Sequence, residues 1–304
     1  MTGVCKNLEQ TERYDGPATI LQLSDLHFGT PEALELEPYL LTRLQSISKS
    51  IKRVVITGDL FNAPKRPEAL AFNRFRNSLN REWGQDAVVI PGNHDQKWMG
   101  NFGSPIGELA NLDWSSLVVD DNIGCVFFCF DSSRDADLAR GTINPQQRLD
   151  VALLFDTQCL ARPEIKDYLR IALIHHHPFT FETGKETLVA RGLERFGITD
   201  EYFLRMDDAD SFLQWCAARN VGLILHGHKH VPRYVQKQLV RTDGSVFVLT
   251  SVGCGTSLGA EGKPLSYNTL GWNRSNRQWT VSFFADPGDG GGFSRQQVSL
   301  RHAD

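Results

Sequence analysis

Arg53-Val54-Val55-Ile56-Thr57-Gly58-Asp59 is a β-branched run closed by a glycine and a carboxylate. It reads as a strand that delivers polar residues at its carboxyl end. The same grammar holds on either side. Upstream, residues 18–22 form a strand entering Ser24-Asp25-Leu26-His27, and residues 32–50 then carry helical apolar spacing at Leu36, Leu40, Leu44 and Ile47. Downstream, residues 67–83 are helical and residues 87–90 form a strand ending in Pro91-Gly92-Asn93-His94-Asp95. Three strands therefore deliver polar residues at their carboxyl ends, the edge at which open α/β sheets bind ligands.

The pattern continues. Strands are predicted at 117–119 and 124–130, a helix at 145–160, and a buried strand at 169–174 that runs into His175-His176-His177-Pro178. Asp207 or Asp208 can cap a helix reaching Arg219, and residues 221–225 form a strand leading into His226-Gly227-His228-Lys229-His230. Strands at 233–239, 246–251, 265–272 and 279–285 follow without helices between them, so the sheet becomes mixed. The expectation is one α/β domain over residues 1–304. A possible lid insertion spans residues 179–206, and a glycine-rich loop spans residues 286–293. The aromatic residues Phe181, Phe196, Tyr202 and Phe203 of the lid could pack a dimer or stack a base.

The 304 residues are 41% hydrophobic and 22% charged, which fits neither a disordered nor a disulfide-dense chain. With 32 Lys and Arg against 36 Asp and Glu, the net charge of -4 gives no global attraction to a nucleic-acid backbone or an anionic membrane. Nothing resembles a signal peptide or a membrane span, and six scattered cysteines without CxxC spacing read as reduced thiols. A cytoplasmic protein acting on a small phosphorylated substrate, with nucleic acid disfavoured, is the expectation. The oligomeric state is open.

At five strand ends stand Asp25 with His27, Asp59, Asn93 with His94, His175 to His177, and His226 with His228. Carboxylate, amide and imidazole are metal-ligand and proton-transfer groups, and short side chains past strand ends can converge on one point. Singly each element is commonplace; their order carries the weight. Asp59 follows Asp25 by 34 positions and Asn93 follows Asp59 by 34. A bridging carboxylate can set two cations about 3.5–4 Å apart and lower the pKa of a water toward about 7. This ligand mixture suits Mn, Fe, Zn or Co better than Ca or Mg. Asn62 either contacts phosphate or caps the turn after Asp59, and His230 reads as an exposed residue after its turn.

The ordered set from Asp25 to His230 resembles the calcineurin-like metallophosphoesterase superfamily. The resemblance implies a four-layer α/β/β/α sandwich with mixed sheets and a centre of two divalent metal ions. It assigns Asp25, His27, Asp59 and His228 to one ion, and Asp59, Asn93, His176 and His226 to the other. His175 and His177 remain chemically equal candidates for the place of His176. It makes His94 the group that binds phosphate and protonates the leaving oxygen, with Asp95 orienting its ring. The lack of an Asp-Arg-Gly and of a GNHE turn disfavours a protein phosphatase. The set looks closest to the bacterial cyclic-nucleotide phosphodiesterase type, which implies hydrolysis of a cyclic nucleotide or related small nucleotide diester by a metal-bridging hydroxide. The alternatives are a nuclease, a nucleoside-diphosphate pyrophosphatase, or a non-catalytic metal-bound scaffold.

Overall fold

A computed structural model describes residues 19–96, 112, 114–135, 140–179, 206–258, 263–286 and 292–302. In strand β2 (Ile51–Thr57), one strand in from the sheet edge, Val54 and Ile56 pack into one core while Val55 packs into another. A strand buried on both faces must be covered twice, and the rest of the architecture meets that requirement.

β2 lies parallel to β1 (Thr19–Leu23) and to β3 (Val88–Ile90), and β3 leads into a single helical turn, α3 (Asn93–Gln96). The helices between them, α1 (Pro31–Ser46) and α2 (Arg66–Trp83), cover the outer face through Leu40, Leu44, Phe72 and Phe75. Thr30 starts α1 by accepting a hydrogen bond from the Ala33 amide at 3.2 Å, with Pro31 in the first turn. Gly84, in the left-handed conformation, ends α2. Three antiparallel strands complete the six-stranded sheet: β10 (Leu265–Asn273), β11 (Gln278–Asp286) and β12 (Ser294–Arg301).

The second sheet has the order β4-β5-β6-β7-β9-β8. Its parallel interior is β5 (Cys125–Cys129), β6 (Leu169–Leu173), β7 (Leu223–His226) and β9 (Val246–Gly253), flanked by the antiparallel edges β4 (Leu117–Asp120) and β8 (Arg233–Val240). Alternation divides its side chains as in β2. Val126, Phe128, Ala172 and Ile224 pack against α4 (Pro145–Ala161) and α5 (Ala209–Ala218). Phe127, Ile171, Leu173, Leu223 and Leu225 meet Ile20, Val55, Val88 and Ile90 of the first sheet. The layers are helix, sheet, sheet and helix, each sheet mixed, in agreement with the expected sandwich.

The predicted elements fall within a few residues of the observed ones, with instructive exceptions. The helix expected over 32–50 stops at Ser46, and its last residues form a separate 3₁₀ turn, Ser48–Ser50. β12 was not foreseen. As an edge strand it is largely exposed, with Leu300 alone of its residues buried, so its apolar alternation is faint. Asp208 does stand at the start of α5, but its carboxylate is spent elsewhere, accepting from the Ile143 amide at 3.0 Å and pairing with Arg148 at 3.3 Å. Residues 180–205 of the expected lid and 287–291 of the glycine-rich loop lie outside the described residues.

Candidate metal centre

The carboxyl ends of the two sheets face one another across the inter-sheet core, and the chain turns sharply as it leaves them. Asp25 (φ 56°) and His27 (φ 47°) follow β1, Asp59 (φ 51°) follows β2, and His228 (φ 73°) and His230 (φ 54°) follow β7. None is glycine, yet all are left-handed, a conformation costing on the order of 1–3 kcal/mol each, which clusters where function fixes a side chain. The loops are laced together: Asp25 N–H donates to Gly58 O and His27 N–H to Asp59 O, each at 3.0 Å.

Asp59 is the hub. Its Oδ1 accepts the His94 amide at 2.9 Å, and its Oδ2 lies 3.3 Å from His175 Nε2 and 3.8 Å from His27 Nε2. Gly92 makes this approach possible, because a Cβ there would collide with the Asp59 backbone nitrogen and Oδ1. On one side, His27 Nε2 stands 3.3 Å from His230 Nε2, which lies 3.6 Å from Asp25 Oδ1. On the other, His175 Nε2 stands 3.0 Å from Asn93 Oδ1 and 3.2 Å from His228 Nδ1.

These groups fit metal coordination. Ligands about 2.0–2.2 Å from one ion lie roughly 2.8–3.6 Å from each other between octahedral and tetrahedral geometry, a range that holds the His27–His230, His175–Asn93 and His175–His228 separations. Among the described residues, Asp25–His27–His230 and Asp59–His175–His228 each form a compact metal-capable group, and Asp59 with His27 and His94 forms a third. Asp25 Oδ2 is buried and finds no hydrogen-bond partner among the described residues, a costly state for a carboxylate that a cation would relieve.

Protonation follows from burial. Desolvation lowers His27 and His230 to about 4 and holds His228 well below the usual range, leaving neutral rings with a lone pair to donate. Burial also raises Asp25 to about 6, assisted by the charge of Asp59 and opposed by His175. Burial would likewise lower His175 and raise Asp59, but here the two prevail over it. The carboxylates of Asp59 and Asp25 lift His175 to about 9, while His175, His94 and His27 hold Asp59 well down.

The sequence expectation and the geometry differ in three places. Of the three consecutive histidines, His175 reaches Asp59 and Asn93, whereas His176 turns its Nδ1 to Ser132 Oγ at 2.8 Å. The reason is the pleat: Leu173 faces the inter-sheet core and Ile174 the helices, so the next residue, His175, returns to the inter-sheet side. His226 is still part of β7, and its Nδ1 lies 3.2 Å from Gly227 O, away from Asp25 and Asp59. The pair brought to the site is His228 and His230, the second of these only 19% exposed in its side chain. Reading the Gly-His-x-His spacing from Gly227 would have found it. Third, Asp95 does not orient the His94 ring. Its carboxylate accepts from the amides of Leu60 (2.9 Å), Phe61 (3.1 Å) and Gly92 (2.7 Å), pinning two loops, while His94 Nδ1 lies 3.0 Å from the backbone carbonyl of Asn62. The Asn62 side chain is exposed.

Mixed sheets in a four-layer sandwich, with metal-capable groups of carboxylate and imidazole gathered around Asp59 at the sheet ends, are the setting in which the family match falls. The chain belongs to the calcineurin-like phosphoesterase family, whose pattern it matches over residues 18–232. The family comprises hydrolases acting on phosphoric ester bonds. Among solved structures it is similar to a single mutant of Vps29 from Entamoeba histolytica, at 13% identity and a TM-score of 0.40, covering 93% of this chain and 99% of that one. It is also similar to GAP50, the anchor in the inner membrane complex of Plasmodium, at 10% identity and a TM-score of 0.48, covering 94% and 90%. Neither likeness bears on activity. No curated protein matches the chain.

Proposed function

We propose that the chain hydrolyses a phosphodiester, of the cyclic-nucleotide or related small-nucleotide kind, at a centre of two divalent cations. The observation that carries the reading is the position of Asp59 Oδ2 between His27 and His175. Asp25, His27, Asp59 and His230 would hold one ion; Asp59, Asn93, His175 and His228 would hold the other. Mn, Fe, Zn or Co suits this mixture of oxygen and nitrogen donors. Such a pair supplies Lewis acidity to phosphoryl oxygens and acidifies a water.

The remaining work falls to the chain. His94 stands beside the hub, its ring held edge-on to His27 at 4.8 Å between centroids and fixed at Nδ1 by Asn62 O. With Nδ1–H given to that carbonyl, Nε2 donates to a phosphoryl oxygen and passes a proton to the departing alkoxide when the ring is the imidazolium, which returns to the neutral ring as the proton leaves. Among the described residues, no arginine hydrogen-bonds or ion-pairs with the cluster. A monoester dianion would benefit from such a fork, whereas a diester with a single charge is adequately met by the cations. The five cysteines among the described residues are free and buried, in keeping with a reducing, cytoplasmic compartment, and no helix among the described residues is long and apolar enough to cross a membrane.

The test is turnover of bis(p-nitrophenyl) phosphate against p-nitrophenyl phosphate with added Mn, followed by 2′,3′-cyclic AMP, 3′,5′-cyclic AMP, ADP-ribose and single-stranded DNA. Preference for the monoester would overturn the diester reading. Stoichiometric metal binding without turnover of any of these would favour a scaffold.

A further inference from the structure

The family pattern ends at residue 232, yet the chain that follows β9 returns to the site. Thr256 braces the Asp25 loop in two ways: its N–H donates to Ser24 O at 2.9 Å, and its Oγ1 accepts from the Ser24 amide at 3.0 Å. Gly255 lies flat against His230, where a Cβ would collide with the His230 backbone. Ser257, buried and left-handed at φ 56°, places its Oγ 3.0 Å from His230 Nδ1 and 3.1 Å from Gly255 O.

We propose that Ser257 is a positioning residue that fixes the tautomer and orientation of His230. A hydroxyl has one hydrogen. Because a carbonyl can only accept, Ser257 gives that hydrogen to Gly255 O and must accept from His230 Nδ1–H. The proton of the neutral imidazole is therefore on Nδ1, and the Nε2 lone pair faces Asp25 Oδ1 and His27 Nε2. A ligating histidine needs such a partner behind it, and loss of one typically weakens metal binding 10- to 100-fold. The relay Gly255 O, Ser257 Oγ, His230 Nδ1 supplies it from outside the family pattern. The inference rests on the two-cation reading above insofar as it makes His230 a ligand.

The experiment compares wild type, Ser257→Gly, Ser257→Ala and His230→Ala by Mn titration calorimetry and by ¹⁵N-edited NMR of the histidine rings in the metal-free protein. Glycine suits the left-handed backbone, so Ser257→Gly should fold even if Ser257→Ala does not. The expected result is an Nδ1–H tautomer for His230 in wild type, lost or mixed in Ser257→Gly, with one Mn site about 10- to 100-fold weaker and the other unchanged. An Nε2–H tautomer in wild type, or Mn affinities in Ser257→Gly equal to wild type while His230→Ala loses a site, overturns the role of Ser257 alone. Two intact Mn sites in His230→Ala overturn the ligand assignment and the inference with it.

Discussion

His175 Nε2 and Asp59 Oδ2 approach to 3.3 Å with both side chains shielded from water, the imidazole arriving from one sheet and the carboxylate from the other. The contact joins the two halves of the sandwich at the point where their chemistry is concentrated. Low local dielectric makes such a pair strongly interacting, and it makes either partner costly to leave alone.

Replacing the hub removes a charge without removing volume. In Asp59→Asn, kcat/KM for bis(p-nitrophenyl) phosphate with saturating Mn should fall by about 10³-fold, the rate equivalent of the several kcal/mol that a metal centre contributes to charge stabilisation. Calorimetry should show both Mn sites weakened, since Asp59 faces both groups. Weakening of one site alone would show that the carboxylate does not bridge.

The neighbouring histidines separate by role. His175→Ala and His230→Ala should each lose one Mn equivalent. His176→Ala and His226→Ala should keep both, because neither belongs to the compact metal-capable groups around Asp25 and Asp59, even though the His176 ring centroid lies 4.3 Å from that of His228. Metal content after gel filtration decides the matter, and loss of metal on substituting His176 or His226 would restore the assignment that the family resemblance implies.

For His94→Ala, metal content should remain at the wild-type value while kcat falls about 10²- to 10⁴-fold, the usual contribution of a positioned acid or base. The deficit should shrink for substrates whose leaving group needs no proton. Comparing bis(p-nitrophenyl) phosphate with an alkyl nucleotide diester measures it.

The metal-free protein should lose stability as pH rises through the neutral range. His175 is lifted to about 9 from an unfolded value of 6.5, so the folded state holds its proton more tightly. That contribution is fully present below pH 6.5 and is lost as pH rises through 9. The lowered histidines, His27 and His230 at about 4, act below 6.5, and raised Asp25 acts between 3.8 and about 6, so none masks this window. Thermal melts in chelator at pH 6.5 and 9 should differ for wild type and converge for His175→Gln. Added Mn, competing with that proton, should release it on binding.

Gly92→Ala tests the close approach of two loops. Its methyl would enter the space of the Asp59 backbone and carboxylate, so melting temperature and Mn affinity should fall together. An unchanged Mn affinity would show that the loops yield without moving the hub.

From the sequence by itself, the buried interior strands were legible as β-branched and apolar runs, the exposed edge strand β12 was not, and the residue types at the strand ends announced which chemistry gathers there. Asp25, His27, Asp59, Asn93 and His94 were legible because each directly follows a strand with a glycine or a sharp turn beside it. What spacing left open, tertiary structure decided. The pleat of β6 selects His175 from three identical neighbours, and the extra residue of β7 keeps His226 in the strand while the next turn delivers His228 and His230. The bracing of His230 by Ser257 joins residues 27 positions apart, and that of Asp95 joins the loops of β2 and β3. Local sequence encodes the period of an element and the types of its residues. Which of several equal side chains enters a shared cavity is set by the packing of one sheet against another, and no single segment contains that information.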